Sequence, residues 1–273
     1  MEAQWSLVLF TVISGAGAWL FATSMMGALA KKSPLPTKVE TIVAIVLLAV
    51  GGIASVTHLK HIDRIFEALN HPTSGIFVEA ALIGVLIVLA LIYLIMLVRK
   101  TGESGTKIVG VVTMVVAIIF PFMCGYSYMM EARQAWMSLA TPFAYWGTAA
   151  AAGAGMNLLL KAQAKDQAAS VSFAGLLTVV CSVIALVCSA AFFAYAGAWL
   201  GSAKSGAVAW IVATFVGCIA ALAAGALAMK KADSGMAAGA VATVAGVVCA
   251  LAMRVAMWLV GTPLLDFFLQ PLD

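Results

Sequence analysis

The sequence predicts an all-α integral membrane protein with about eight transmembrane helices, and three observations predict it. The 273 residues are 64% hydrophobic and only 10% charged, with a mean hydropathy of +1.10. Soluble domains of this size do not have that composition. Long apolar runs alternate with short polar breaks along the whole chain. A spanning helix needs roughly 20 apolar residues, so eight runs and their loops use up most of the length. One polytopic membrane domain over 1–273 is expected, with little chain left for a soluble catalytic domain. Harder redox or hydrolytic chemistry is expected on partner chains.

The polar breaks set the elements in order. The first apolar run begins at Trp5 and stops before Lys31 and Lys32, predicting a span over 7–29. Its start lacks the basic region of a signal peptide, so a retained span is expected. The second run, 40–57, ends at the histidine-bearing stretch. The third, 75–98, ends at Arg99 and Lys100, and the fourth, 107–129, ends before Glu131 and Arg133. The fifth, 141–160, starts at Thr141-Pro142 and closes at Lys161. The sixth, 171–200, is long enough to tilt or to end in a short surface turn near Trp199. The seventh, 206–229, stops at Lys230 and Lys231, and the eighth covers 235–260.

Basic residues orient these spans. Odd-numbered loops hold Lys31, Lys32, Lys38, Arg99, Lys100, Lys107, Lys161, Lys165, Lys230 and Lys231; even-numbered loops hold Lys60, Arg64, Arg133 and Lys204. Short loops rich in Lys and Arg stay in the cytoplasm. Both termini are therefore expected on the outer, periplasmic or extracellular, side of the cytoplasmic (inner) membrane.

Composition also excludes classes. The net charge of +4 comes without a basic, aromatic-interleaved cluster, so nucleic-acid binding is not expected and the loop cations are read as facing lipid headgroups. The cysteines Cys124, Cys181, Cys188, Cys218 and Cys249 all lie in apolar segments without a C-x-x-C pair. They are read as small buried hydrophobes, not as metal, iron–sulfur or disulfide frameworks. The small residues of the second half, with Gly235 and Gly239 in a G-x-x-x-G and with Gly153 and Gly155, predict close helix packing.

Titratable groups inside lipid are costly and rarely kept without a use. His58, His61 and His71 fall in one short polar stretch, and Glu79 enters the next apolar run with no basic neighbour. With the predicted orientation, His58 ends the second span at the outer surface and Glu79 lies about one turn inside the third. Arg254 lies roughly 28 Å along the eighth helix from Gly235, at about 1.5 Å per residue, near the same surface. Tyr126, Tyr128, Glu131 and Arg133 end the fourth span there. These groups share a depth, which makes His58 and Glu79 a candidate proton-handling pair. Each also has a plainer explanation. Arg254 can snorkel to headgroups. Tyr126, Tyr128, Trp136, Tyr145 and Trp146 can form an interfacial aromatic belt. Glu79 can hold a structural hydrogen bond, and His61 and His71 suit a solvated loop. Since every histidine is in or beside one loop, a bis-histidine haem is not expected.

The stretch His58-Leu59-x4-Arg64-x-Phe66-x2-Leu69-Asn70, followed by Glu79, resembles the DmsC family of membrane anchor subunits of dimethyl sulfoxide reductase and related molybdoenzymes. Trp5 with Leu9-Phe10-Thr11-Val12, the segment Gly52-Ile53-Ala54-Ser55, Thr141-Pro142-Phe143 and Arg254 are similar to family positions as well. Lys60 and Ile62 replace the family's usual Gly and Pro after His-Leu, and Val78 stands where relatives often have a polar or basic residue.

The resemblance implies eight helices with outward termini and a menaquinol/menaquinone site near the outer surface. It places the site histidine at His58 and the acid at Glu79. Arg254, Tyr126 and Tyr128 are the further candidates for lining that site. It also implies an iron–sulfur electron-transfer subunit and a molybdopterin catalytic subunit on the outer face, with those cofactors on the partners. The expected role is that of a quinol-oxidising subunit in anaerobic respiratory electron transport. Two alternatives remain open: a proton-coupled small-solute transporter, and a purely structural anchor without quinol chemistry.

Overall fold

The computed structural model describes residues 3–57, 74–165, 167–203 and 205–261. The described residues are all-helical. Eight α-helices follow in order: α1 (Trp5–Leu29), α2 (Lys38–Val56), α3 (Gly75–Arg99), α4 (Glu103–Tyr126), α5 (Ala140–Gln163), α6 (Ala168–Ala196), α7 (Ala207–Lys230) and α8 (Gly235–Val260). Seven are long and apolar enough to cross a membrane, which makes this a multi-pass membrane protein. The expected surface turn near Trp199 is a 3₁₀ segment, Gly197–Ser202.

The remaining helix, α5, is less apolar than the other seven for a physical reason. Its sequence is rich in Ala, Gly and Thr, and it packs against α1, α4, α6 and α8. A helix enclosed by other helices does not need a lipid-compatible surface; it needs small side chains that let backbones approach. A methyl group placed on Gly155 would lie 2.6 Å from the Ala242 carbonyl carbon on α8, and one on Gly239 would lie 2.6 Å from the Leu159 Cα on α5. The G-x-x-x-G of α8 is thus closed against α5, as the sequence predicted for packing.

At the opposite extreme, α3 buries only Glu79, Ile83, Leu86, Ala90 and Tyr93. The spacing of four, three, four and three is one inward stripe of a helix whose other faces are aliphatic and exposed. Glu79 takes the first position of that stripe, so the helix periodicity itself turns the carboxyl toward protein rather than lipid.

Two expectations are corrected. Lys161, counted as a loop cation, belongs to α5 and is buried, 2.8 Å from the Glu40 carboxylate. The loop begins later because Lys161 gains a partner across the bundle: Glu40 in the first turn of α2 also accepts from the Thr37 backbone N–H at 2.7 Å, completing a capping box. The aromatic belt does not form as one group either. Trp136 and Tyr145 are buried, whereas Tyr126 is exposed.

Candidate functional site

A cavity of about 740 Å³ opens where α1, α2, α3 and the end of α4 meet. Its volume falls in the range of sites for small molecules and cofactors. Glu79 is on its wall and is 8% exposed. The start of α3 is fixed by Ser74, whose hydroxyl accepts from the Phe77 backbone N–H at 3.2 Å. This cap satisfies one free donor of the first turn and sets where Glu79, one turn on, enters the bundle.

The Glu79 carboxyl faces the Ser127 hydroxyl, one residue past α4. The approach depends on Gly75, because a methyl group there would lie 2.8 Å from Ser127 Cβ. Ser127 Oγ is also 3.0 Å from the Met123 carbonyl. A hydroxyl has one hydrogen and two acceptor sites, so this pair accommodates both states of the acid. Ser127 can accept from a neutral Glu79 while donating to Met123, or turn its hydrogen to an ionised Glu79. Gly75 and Ser127 were not singled out in the sequence. The signal for Glu79 was a carboxylate entering an apolar run with no basic neighbour, while nothing local marks Ser127 as its neighbour.

The tyrosines part company. Tyr128 lines the cavity and is buried, stacked on Tyr145 with ring centroids 5.3 Å apart. Tyr126 is half exposed and is not part of the wall. Behind Tyr128 lies an aromatic cluster in which Trp136 and Trp258 meet at 5.0 Å. Arg133 covers it, 4.3 Å from the Trp136 ring centroid, and donates to the Gly261 carbonyl.

Arg254 is fully buried and does not snorkel, which corrects the plainer of its two expected roles. It is also not on the cavity wall. Its Nε donates to Thr11 Oγ1 at 2.9 Å. One terminal nitrogen donates to Thr148 Oγ1 and to the Ala250 carbonyl, both at 2.9 Å. The other reaches the Tyr145 carbonyl at 3.3 Å, and the Tyr145 ring lies 4.3 Å beneath the guanidinium carbon. Among the described residues no carboxylate pairs with it. The helix is held by this arginine because neutral acceptors and a π-face together satisfy its donors. The Tyr145 ring that lies against Arg254 is stacked on Tyr128, which lines the cavity with Glu79, so two stacked rings stand between the cavity and the buried cation.

His58, His61 and His71 lie outside the described residues. Among those described, Ser55 and Val56 line the cavity where α2 ends, and Ser74 lines it where α3 begins. Cys218 and Cys249, read separately as small hydrophobes, are neighbours across α7 and α8 with sulfurs 3.0 Å apart.

Residues 1–229 match the family described as DMSO reductase anchor subunit (DmsC). The protein belongs to the DmsC family. The DmsC match includes His58, Glu79, Tyr126 and Tyr128 and ends before Arg254. The protein is also similar to the C subunit of the anaerobic dimethyl sulfoxide reductase of Haemophilus influenzae, at 29% identity over 159 residues. That similarity covers 56% of this protein and 57% of the relative, so it spans little more than half of either one.

Proposed function

We propose that this DmsC-family protein is the membrane anchor of a DMSO-reductase-type molybdoenzyme complex and oxidises menaquinol at the Glu79 cavity. The observation that carries the reading is the Glu79 carboxyl, buried on the wall of a cavity near one end of the bundle beside the Ser127 hydroxyl. A quinol is an apolar ring with two oxygens that must each lose a proton. A mostly aliphatic cavity with one proton acceptor suits that chemistry. The family membership supports the anchor role, and the Haemophilus influenzae relative is named as a part of such a reductase.

Oxidation of one quinol releases two protons and two electrons. Glu79 takes or relays a proton, with Ser127 holding the carboxyl in either state. His58 is assigned the hydrogen bond to a quinol oxygen and the other proton. It follows Thr57 directly in the sequence, and Val56, the residue before Thr57, is on the cavity wall. Tyr128 flanks the ring position. The electrons leave one at a time to an iron–sulfur subunit docked on the outer face, and a molybdopterin subunit reduces the terminal acceptor.

The lysine and arginine distribution supports an outward-facing cavity in the cytoplasmic membrane. A transporter would place its site near mid-depth on broken helices, whereas Glu79 is the fifth residue of α3. The test is quinol oxidation by membranes carrying the assembled complex with Glu79→Gln or His58→Ala. Loss of quinol oxidation with the partners still bound supports the assignment; near-normal rates in both variants refute it.

A further inference from the structure

The cavity is longer than a quinol ring requires. Its wall on α3 extends from Gly75 to Ile87, a rise of about 18 Å at roughly 1.5 Å per residue. The polar groups Glu79, Ser127 and Tyr128 are at the α3 N-terminal end of that length. Beyond Glu79 the α3 wall continues as Ala80, Ile83, Gly84 and Ile87, which have no polar side-chain atom. The facing wall on α2 includes Gly52 and Ile53.

This aliphatic part is open sideways. Ile53 is 67% exposed although it lines the cavity, and Gly84 is exposed as well. A methyl group on Gly84 would meet no atom within 4 Å. The seam between α2 and α3 therefore leads from the polar end of the cavity to a face of the bundle that exposes Val85 and Val88, an aliphatic surface suited to lipid chains.

We infer that this seam is the seat of the quinol's polyisoprenyl tail and the lateral doorway by which the headgroup reaches Glu79 from the bilayer. The inference rests on the quinol reading of the cavity. Three features select a tail over other occupants. The groove is continuous with the proton-accepting end, it is aliphatic beyond that end, and it is open at Gly84, while across from it a methyl group on Gly52 would touch only the Ile83 side chain, at 3.5 Å. A ligand with a polar ring and a long branched hydrocarbon tail fits both parts at once; a lipid acyl group fits only the second.

The test compares two substrates in membranes carrying the complete complex: a full-length menaquinol and a tail-less menaquinol analogue. Gly84→Trp fills the groove from α3 and Gly52→Leu narrows it from α2. Val88→Trp, on the lipid side and off the cavity wall, is the control. The expected result is a KM for the long-tailed quinol raised about tenfold, from loss of contact with a few methylene groups, in Gly84→Trp and Gly52→Leu. The KM for the tail-less analogue stays at its starting value, and Val88→Trp changes neither. Equal shifts for both substrates, or no shift for either, overturn the tail seat; the second result is the one expected if a lipid acyl group is the occupant. Glu79→Gln run in parallel separates the two levels. If it abolishes oxidation of both substrates while the groove variants change nothing, the headgroup site stands and the tail seat falls. If it leaves both rates normal, the quinol reading itself falls.

Discussion

Glu40 of α2 and Lys161 of α5 form an ion pair at 2.8 Å, with side chains only 3% and 2% exposed. It lies at the end of the bundle opposite Glu79 and joins the first helical hairpin to the central helix. Breaking a buried pair leaves an uncompensated charge and costs about 3–5 kcal/mol, whereas replacing both partners by apolar residues is often neutral. Lys161→Met is therefore expected to lower the thermal stability of the purified complex markedly. Adding Glu40→Leu to it should restore much of the loss, although the Thr37 capping box goes with Glu40. A double variant no more stable than Lys161→Met alone would show that the pair is not coupled.

Glu79 and Ser127 make a graded prediction. Removing a positioned general base typically costs about 10²–10⁴ in rate, so Glu79→Gln should reduce quinol oxidation by at least about 10²-fold. Ser127→Ala removes one hydrogen bond, worth roughly 1 kcal/mol, and should slow the reaction by less than about tenfold. Steady-state rates in membranes with matched complex content check both, and a Ser127→Ala defect as large as that of Glu79→Gln would contradict the order.

Arg254 is predicted to support the fold rather than the quinol. Its four hydrogen bonds go to Thr11, Thr148, Ala250 and Tyr145, and it is off the cavity wall. Arg254→Lys keeps the charge but loses the planar fork that reaches several acceptors at once. The expected outcome is a lower unfolding temperature with an unchanged KM for quinol in the protein that remains folded. A raised KM at full stability would return Arg254 to the binding site.

Sidedness is testable at Glu131, which is exposed in the turn following α4. Glu131→Cys should react with a membrane-impermeant thiol reagent added from the outside of intact cells. The background is low because four native cysteines are buried and Cys188 is only partly exposed. Labelling only after the cytoplasmic face is opened would reverse the orientation and place the cavity on the other side.

The segment boundaries were legible because lipid imposes one rule on every spanning residue, and charges mark where the rule stops. The α3 stripe was legible in principle for a similar reason: inward residues recur at helical spacing, and Glu79 shares that spacing with Ile83, Leu86, Ala90 and Tyr93. Depth could also be counted, and it put Arg254 and the tyrosines near Glu79. Depth is one coordinate of three. Two residues at the same height can lie on opposite sides of a layer of rings, as Glu79 and Arg254 do.

The sequence by itself determined the class of the protein, the number of helices, the acid one turn into α3 and the family to which the protein belongs. Hydropathy, charge and motif spacing are local along the sequence, and these properties depend on little else. The tertiary structure alone decided that Ser127 stands beside Glu79, that Tyr128 and not Tyr126 meets the cavity, and that Lys161 is paired with Glu40. It alone enclosed Arg254 among neutral partners. Each of those outcomes depends on the rotation of one helix about its axis and on how closely its neighbour approaches. Small residues such as Gly75, Gly155 and Gly239 set that approach through the surfaces they leave open, and the surface that fills the space belongs to a distant part of the sequence.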